Sequence, residues 1–321
     1  MRFALMIEGQ EGATWDERLA LARTAERLGF ESFVTSDHYL SPGGTPERGS
    51  FDAWTGVAAL AAATQRIRLG TMVSPVTFRH PTVLAKTVTT VDVVSGGRAE
   101  LGMGAGWWAA EHTTHGIPFP PTPDRFEMLE EQVEIVHGLF THEVFSFEGR
   151  FYAVDECRFV PKPLQRPHPP IVLGGRVAGP RMSRLVARFA DEFNTLGGTP
   201  AEVRDRLGRI RNAVDAAGRD QSRVTTSMMT WYYVGDDQAS WRARVERARE
   251  RDPDAGPRDA YLAHLERTCI VGTADRAIER LNEYAEAGVQ RIVLNHEFAD
   301  DLEMLEVVGE RVLPELQGAT N

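Results

Sequence analysis

The chain is poor in lysine and cysteine. Only two of its 36 basic residues are lysines, Lys86 and Lys162. An anion site in this chain is therefore expected to use arginine, whose planar guanidinium binds oxyanions in a bidentate way. The two cysteines, Cys157 and Cys269, are too few for a disulfide framework and lack the C-x-x-C spacing of a zinc site. This cysteine usage is typical of a reducing cytoplasm.

Excess positive charge and long apolar runs are also lacking. The formal net charge is −10, whereas a general nucleic-acid binder needs clustered positive charge. No apolar run approaches the length of a membrane-spanning helix, and the first residues, MRFALMIEG, indicate a strand rather than a signal peptide. We therefore expect a cytoplasmic protein that binds neither nucleic acid nor a membrane.

What the chain does contain is a regular alternation of strand-like and helical segments over 321 residues. A parallel βα repeat of this length closes most economically as a barrel. Strands are expected at residues 2–7, 30–35, 67–73, 98–103, 170–173, 190–195, 224–234 and 291–294. We predict an α/β fold in which residues 1–321 form a single (β/α)8 TIM-barrel domain. The prediction includes a Pro/Gly-rich loop at 41–49 and an insertion at approximately 141–168 with a hairpin at 145–154.

Ligands of such barrels bind at the carboxyl ends of the strands. Two of these ends are rich in glycine, at Gly102 to Gly106 and at Gly174-Gly175. Glycine lets the backbone approach a ligand closely, and a following helix start favours anions; a tight βα turn without a ligand is the alternative interpretation. The residues at the strand ends are Glu8, Asp37, His38, Val73, Ser74, Gly104 to Trp107, Gly174, Gly175, Asn194, Trp231, Asn295 and His296. Few of these groups suit hydrolysis, and many suit the binding of a planar cofactor.

Several motifs resemble the luciferase-like monooxygenase superfamily, and within it the oxidoreductases that use the deazaflavin coenzyme F420. The most specific are SDH at 36–38, LGTMVSPVTFRHP at 69–81, and GRAELGMGAGW followed by EHTTHGIPF within 97–119. PPIVLGG at 169–175 and ARFADEFN at 187–194 agree as well. The resemblance extends from Met1 to about Glu315. It implies a TIM barrel whose cofactor lies across the strand ends, and a homodimer.

The resemblance implies roles for two segments that face the cofactor ring. Asp37 and His38 match the pair beside the deazaflavin, with His38 exchanging a proton and Asp37 orienting it or holding the ring edge. Histidine suits this role because its unperturbed pKa of about 6.5 allows both protonation states near neutrality. A non-prolyl cis peptide bond behind the ring is implied at Met72–Val73, with Val73–Ser74 as the neighbouring candidate.

The resemblance also implies where the rest of the cofactor lies. The Ala105-Gly106 turn matches the segment along the polyol tail. The implied phosphate loop comprises Gly174, Gly175, Val177 and Ala178. Arg176 and Arg181 either add charge to this loop or are solvated surface residues.

Two departures from the family pattern bear on the substrate. Trp108 stands where related members often carry Asn, and Trp107 stands where the branch that oxidises glucose 6-phosphate carries an acidic residue. The sugar-phosphate lysines of that branch also have no counterpart here. We therefore expect a small apolar or aromatic substrate. The expected pocket residues are Glu8, Phe78, Trp107, Trp108 and Trp231.

The leading hypothesis is hydride transfer between C5 of the deazaflavin and this substrate, with His38 moving the accompanying proton. An FMN-dependent monooxygenase of the same superfamily is the alternative, because FMN and F420 share ring shape and phosphate position. A cofactor-binding subunit without activity is a further alternative. A metal-dependent barrel hydrolase is less favoured, because adjacent residues such as Asp37 and His38 point to opposite sides of a strand. Its candidate ligands would be Asp37, His38, His80, His112 and His296. We expect no metal.

Overall fold

The structure is a computed structural model that describes residues 1–42 and 48–317, so positions 43–47 of the predicted loop lie outside the described residues. The strands are β1 (Arg2–Ile7), β2 (Ser32–Thr35), β3 (Arg68–Thr71), β4 (Ser74–Pro75), β5 (Ala99–Gly104), β6 (Phe145–Glu148), β7 (Ala153–Cys157), β8 (Ile171–Gly174), β9 (Glu192–Leu196), β10 (Thr225–Gly235), β11 (Ile270–Thr273) and β12 (Arg291–His296). The helices are α1 (Trp15–Leu28), α2 (Ala53–Ala63), α3 (Pro81–Ser95), α4 (Ala109–His115), α5 (Thr122–Thr141), α6 (Pro180–Phe189), α7 (Pro200–Ala216), α8 (Gln238–Arg251), α9 (Arg258–Thr268), α10 (Ala274–Glu286), α11 (Leu302–Val307) and α12 (Leu313–Gln317).

Eight of the strands form a closed parallel barrel, which confirms the predicted TIM-barrel fold. Around the barrel the order is β1, β2, β3, β5, β8, β9, β10 and β12. The barrel closes where Arg2 of β1 pairs with Arg291 of β12. Every predicted strand overlaps one of these eight. Within the described residues, none of the helices is long and apolar enough to cross a membrane.

The strand β11 and the helices α8 and α9 were not predicted from the sequence. The strand β10 is 11 residues long, and its last part, from Tyr232 to Gly235, extends beyond its pairing with β9 and β12. The backbone groups of that part pair with β11 instead. The extra strand therefore satisfies hydrogen-bonding groups that the barrel leaves open.

The predicted insertion contains the expected hairpin, formed by the antiparallel strands β6 and β7. Its turn rests on α5 through the buried carboxylate of Glu131. That carboxylate accepts hydrogen bonds from the backbone N–H groups of Arg150, Phe151 and Tyr152 at 2.7, 3.0 and 3.0 Å. A Cβ on Gly149 would lie 2.5 Å from the same carboxylate. The hairpin turn is therefore anchored to the helix layer.

The interior of the barrel has a charged layer near the strand starts and an apolar layer above it. Arg291 donates to Glu192 at 2.7 Å and to Glu100 at 2.8 Å, and Arg68 donates to Glu100 at 2.7 Å. The apolar layer, which we call the barrel plug, consists of Ala4, Met6, Val34, Met72, Val172, Met229 and Val293. Val73, Leu196 and Trp231 pack on this plug and remain partly exposed. The carboxyl ends of the strands thus surround an apolar floor.

Candidate functional site

Val73 is the part of this floor that three glycines surround. The Met72–Val73 peptide bond is cis, at the first of the two positions that the resemblance implies. A Cβ added to Gly102, Gly104 or Gly174 would lie 3.0, 2.7 or 2.9 Å from a side-chain carbon of Val73. These distances are shorter than carbon–carbon contacts of about 3.5–4.0 Å. Packing against Val73 therefore explains Gly104 and Gly174, whereas a Cβ on Gly102 would first meet the Thr71 carbonyl oxygen at 2.0 Å. The sequence indicated neither contact.

Asp37 lies beneath this floor in a closed polar network. Its carboxylate accepts hydrogen bonds from the Ser74 hydroxyl at 2.7 Å and from the Arg79 guanidinium, which also donates to Asp52 at 2.6 Å. Trp54 Nε1 donates to the Ser74 hydroxyl at 2.9 Å. Burial raises the pKa of Asp37, and the Arg79 guanidinium opposes that rise. The Asp37 side chain has no exposed surface, so it holds the chain after β2 in place.

His38 points the other way, and its carboxylate partner is Glu111 rather than Asp37. The Nδ1 atom of His38 lies 2.9 Å from Glu111 Oε1, and the other oxygen of Glu111 accepts from the Tyr39 backbone N–H at 3.1 Å. Asp37 does not hydrogen bond to the imidazole, because its carboxylate is bonded to Arg79 and Ser74. An indirect role of Asp37 in orienting His38 or holding the ring edge stays a prediction. Burial alone would lower the pKa of His38, but the hydrogen bond and charge of Glu111, with smaller contributions from Glu8 and Asp37, raise it.

The aromatic residues predicted for the substrate pocket form two groups. Trp107 and Trp108 stack with ring centroids 5.8 Å apart, and both make T-shaped contacts with the His38 ring, at centroid distances of 5.8 and 6.2 Å. Trp107 is 64% exposed. Phe78 instead stacks on Tyr39 at 4.8 Å and contacts His112 at 5.2 Å. His38 is thus beside the two tryptophans, while Phe78 belongs to the cluster behind it.

The remaining predicted pocket residues, Glu8 and Trp231, lie at the carboxyl ends of the barrel strands, which we call the mouth of the barrel. Glu8 follows β1 and accepts hydrogen bonds from Asn295 at 2.7 Å and from Gln10 at 2.9 Å. Trp231 lies on β10 and packs on the barrel plug. Because Asn295 pairs with Trp231 in the sheet register, Glu8 and Trp231 flank the same residue.

The segment predicted to bind phosphate precedes α6. Gly179 is the N-cap of this helix and makes no side-chain capping bond, so the first N–H groups of the helix lack a capping partner. Val177 is 64% exposed, whereas Ala178 is buried. Arg176 is exposed, whereas Arg181 is held by Glu130 at 2.6 and 3.1 Å.

The glycine-rich turn after β5 is held in place by a side chain of α5. Gly106 has a φ of +75°, which favours glycine. The carbonyl of Ala105 accepts a hydrogen bond from Arg125 at 3.1 Å, and the Arg125 guanidinium stacks on Phe119 at 3.8 Å. The turn is therefore tied to the start of α5.

The histidines considered as metal ligands have other partners. His112 hydrogen bonds to Thr77 at 2.6 Å and to the Trp108 carbonyl at 2.8 Å. His296 lies 2.5 Å from the Tyr232 hydroxyl, and burial lowers its pKa to about 4. Across residues 1–42 and 48–317, no group of three or more His, Cys, Asp or Glu side chains is arranged to hold a metal ion.

Two residues of the site were missed at the sequence level, Arg79 and Glu111. Both stand inside motifs that carry the family resemblance, FRHP and EHTTHG. Each is also a charged side chain that is largely buried, with exposed fractions of 12% and 1%. The sequence offered one sign of their importance: each is a charged residue within a family motif that also contains aromatic residues.

Comparisons with known proteins agree with this geometry. The sequence profile of the family described as luciferase-like monooxygenase matches residues 1–291. An F420-dependent glucose-6-phosphate dehydrogenase of Microbacterium testaceum is 31% identical, covering 94% of both chains. An FMNH(2)-dependent dimethylsulfone monooxygenase of Pseudomonas putida is 32% identical over 77% of this chain and 66% of its own.

The fold also superposes on solved structures. The crystal structure of monooxygenase RslO1 from Streptomyces bottropensis has a TM-score of 0.84 at 26% identity, covering 98% of this chain and all of the other. With a family match over most of the chain and full-length relatives above 30% identity, the chain belongs to the luciferase-like monooxygenase family.

Proposed function

We propose that this chain is an F420-dependent oxidoreductase, organised as one domain, that transfers a hydride between C5 of the deazaflavin and a small apolar or aromatic substrate. The observation that carries the proposal is the position of His38. Its Nδ1 is bonded to Glu111, while Nε2 makes no hydrogen bond to the described residues, and the side chain is 16% exposed. Nε2 is therefore available to a ligand between the tryptophans and the Val73 floor.

The residues present fit a long planar cofactor with an anionic tail. The apolar floor suits an aromatic ring system, because Val73 lies on it and its side chain remains partly exposed. The uncapped N-terminus of α6 and the exposed Arg176 suit a phosphate. The proposed cofactor-binding residues are His38, Met72, Val73, Ser74, Ala105, Gly106, Gly174, Gly175, Val177 and Ala178, and Asp37 would support them from below. Bound F420 would supply a two-electron hydride carrier that reacts poorly with oxygen.

The protein itself would position the reactants and handle the proton. For substrate oxidation, His38 Nε2 takes the substrate proton while the hydride leaves the substrate carbon; for reduction, Nε2 returns it. Trp107 and Trp108 exclude water from the same space. Asp37 would act indirectly, because its network with Ser74 and Arg79 fixes the floor and the base of His38.

The aromatic lining supports an apolar substrate over a sugar phosphate. Trp107 offers a large exposed ring beside His38. Both lysines are engaged away from this ring, since Lys86 donates to the Val160 carbonyl at 2.5 Å and Lys162 donates to the Leu139 carbonyl at 2.6 Å. The similarity to glucose-6-phosphate dehydrogenases therefore extends to the cofactor, while we propose a different substrate.

A fluorescence titration of the apo-protein with F420 and, separately, with FMN tests the cofactor. Tryptophan emission reports binding because Trp107 and Trp108 flank the proposed ring site. We expect saturable, tighter binding of F420, followed by turnover with apolar hydride donors or acceptors. Tighter binding of reduced FMN, with oxygen consumption, would instead favour the monooxygenase alternative that the Pseudomonas putida relative represents. Binding of F420 without any turnover would favour a cofactor-binding subunit.

We also propose that the protein forms a homodimer through the outer faces of α2 and α3. The helix α2, AWTGVAALAAA, contains no charged residue. On α3, Val83, Val93 and Val94 are 56, 44 and 50% exposed. Exposed apolar side chains next to an uncharged helix are typical of a protein–protein interface. The two helices pack on each other, so they offer one continuous surface.

A further inference from the structure

We propose that Glu111 is the positioning residue of the site: it fixes the orientation and the proton-bearing nitrogen of His38. This inference rests on the proposed function for its kinetic consequences, whereas its structural consequence concerns the apo-protein alone. An experiment can therefore refute the proposed function without refuting the role of Glu111, and the reverse.

The first argument is the geometry of the carboxylate. Glu111 is the third residue of α4 and is 1% exposed. One oxygen contacts His38 Nδ1 at 2.9 Å, and the other accepts the Tyr39 N–H at 3.1 Å. Because Tyr39 adjoins His38 in the chain, the carboxylate holds both the imidazole and the backbone that carries it. A single side chain therefore sets both the position and the rotation of the ring.

The second argument concerns the tautomer. An ionised carboxylate only accepts hydrogen bonds, so the hydrogen between the two groups is carried by His38 Nδ1. The neutral ring then has a free lone pair at Nε2, which is the nitrogen with no partner among the described residues. In this form Nε2 takes a proton directly. When it does so, the resulting imidazolium is stabilised by the Glu111 charge at hydrogen-bond distance.

The third argument is that other charges near His38 do not replace this role. Besides Glu111 on α4, the acidic groups that face the ring are Glu8 after β1 and Asp37 after β2, and both raise the pKa of His38 less than Glu111 does. Glu8 is bonded to Gln10 and Asn295. Asp37 is bonded to Arg79 and Ser74, on the other side of the chain.

Glu111 also connects two parts of the mouth that the sequence separates. It belongs to α4, whose N-cap is Trp108, while His38 and Tyr39 follow β2. The same helix start places Trp107 and Trp108 against the His38 ring. A carboxylate in the first turn of a helix is additionally favoured by the helix dipole. The three contacts on the imidazole thus come from one short segment, residues 107–111.

The test is Glu111→Gln, which keeps the size of the side chain and an oxygen for the Tyr39 N–H but removes the charge. The first readout is the ¹⁵N NMR titration of the His38 imidazole in the apo-protein, with the His38 signals assigned by their loss in His38→Asn. In the wild-type protein we expect neutral His38 to carry its hydrogen at Nδ1. In Glu111→Gln we expect a lower His38 pKa and a mixture of tautomers.

The second readout is the pH profile of F420-dependent turnover. We expect kcat to fall on the order of 10–100-fold in Glu111→Gln, a part of the 10²–10⁴-fold contribution of general acid–base catalysis. In the pH profile of kcat/KM, which reports groups of the enzyme without bound substrate, the limb that belongs to His38 should move to lower pH, in the same direction as the NMR pKa. Restoration of the charge by Glu111→Asp should return the limb toward its wild-type position.

The matched control is Glu131→Gln, because Glu131 is likewise a largely buried carboxylate that accepts backbone N–H groups, but at the hairpin turn. It should leave the His38 signals and the pH profile unchanged. An unchanged His38 tautomer and titration in Glu111→Gln would overturn the inference, even with lower turnover. Absence of F420 turnover in the wild-type protein would overturn the proposed function, while the NMR result would still decide the role of Glu111.

Discussion

The close packing of Val73 against its glycines gives a sharp prediction for Gly104→Ala. The new Cβ would lie 2.7 Å from a γ-carbon of Val73, 3.7 Å from the Gly174 carbonyl oxygen and 3.9 Å from the Val73 Cβ. The first contact is about 1 Å too short for two carbons, whereas the other two are ordinary. Overpacking of this kind costs about 1–3 kcal/mol. We therefore expect the free energy of unfolding to fall by that amount.

The same reasoning predicts that Val73→Ala rescues Gly104→Ala. Removing both γ-carbons of Val73 leaves the ordinary contacts of 3.7 Å to the Gly174 carbonyl oxygen and 3.9 Å to the Val73 Cβ. The double variant should therefore be more stable than the sum of the two single effects predicts, with a coupling energy of about 1 kcal/mol or more. The measurement is urea unfolding followed by tryptophan fluorescence. We also expect F420 affinity to fall in Gly104→Ala, because a displaced Val73 changes the floor of the site.

The matched control is Gly208→Ala in α7. No atom lies within 4 Å of the Cβ that would be added there, and alanine is favoured over glycine inside a helix by about 0.5–1 kcal/mol. This control should be at least as stable as the wild-type protein. If Gly104→Ala were equally stable, or if Val73→Ala failed to rescue it, the packing explanation of these glycines would be refuted.

Three further predictions concern the phosphate site, the barrel interior and the dimer. Arg176→Ala should weaken F420 binding about tenfold through loss of a charge-assisted contact, whereas Arg181→Ala should not, because that side chain is paired with Glu130; titration at two salt concentrations separates them. Arg291 and Arg68 hold the pKa of Glu100 at about 2, well below its usual range, against the opposing effect of burial. The ionised Glu100 carboxylate therefore stabilises the folded state above its unfolded-state pKa, and this stabilisation is lost as the pH falls toward 2. Glu100→Gln should have a lower free energy of unfolding at neutral pH, and its stability in urea unfolding should depend less on acid pH. Val94→Asp should shift the mass in sedimentation from dimer to monomer while leaving the circular dichroism spectrum unchanged.

Much of the fold could be predicted because local signals and the global fold agree in this chain. Thr14 and Glu17 form the capping box that their spacing indicates, with the Glu17 carboxylate accepting the Thr14 N–H at 2.8 Å. The elements that escaped prediction depend on tertiary context. The strand β11 forms because β10 continues past the barrel, and α9 follows a charged segment whose composition is typical of loops.

The site was predictable in its location but only partly in its contacts. The resemblance placed His38 and Val73 at the mouth, and both lie there. The reason for Gly102 and Gly104 could not be found in the sequence, since it depends on how closely Thr71 and Val73 approach them in the folded barrel. The ion pair of Arg181 with Glu130 joins positions 51 residues apart. Only the structure could therefore show that Arg181 is paired with a carboxylate and is not free to bind a phosphate.

The adjacent residues Asp37 and His38 show both what the sequence decides and what it leaves open. Neighbouring residues of an extended chain point to opposite sides, so one of the pair must face the interior when the other faces the mouth. The interior offers Arg79 and Ser74 as partners, which suit a carboxylate and give it a fixed position. The imidazole then requires a separate acceptor, and the chain supplies it 73 residues later, at Glu111. Strand geometry therefore decides that Asp37 faces the interior and His38 faces the mouth. The identity of the acceptor for His38 depends instead on which helix start the closed barrel brings beside β2.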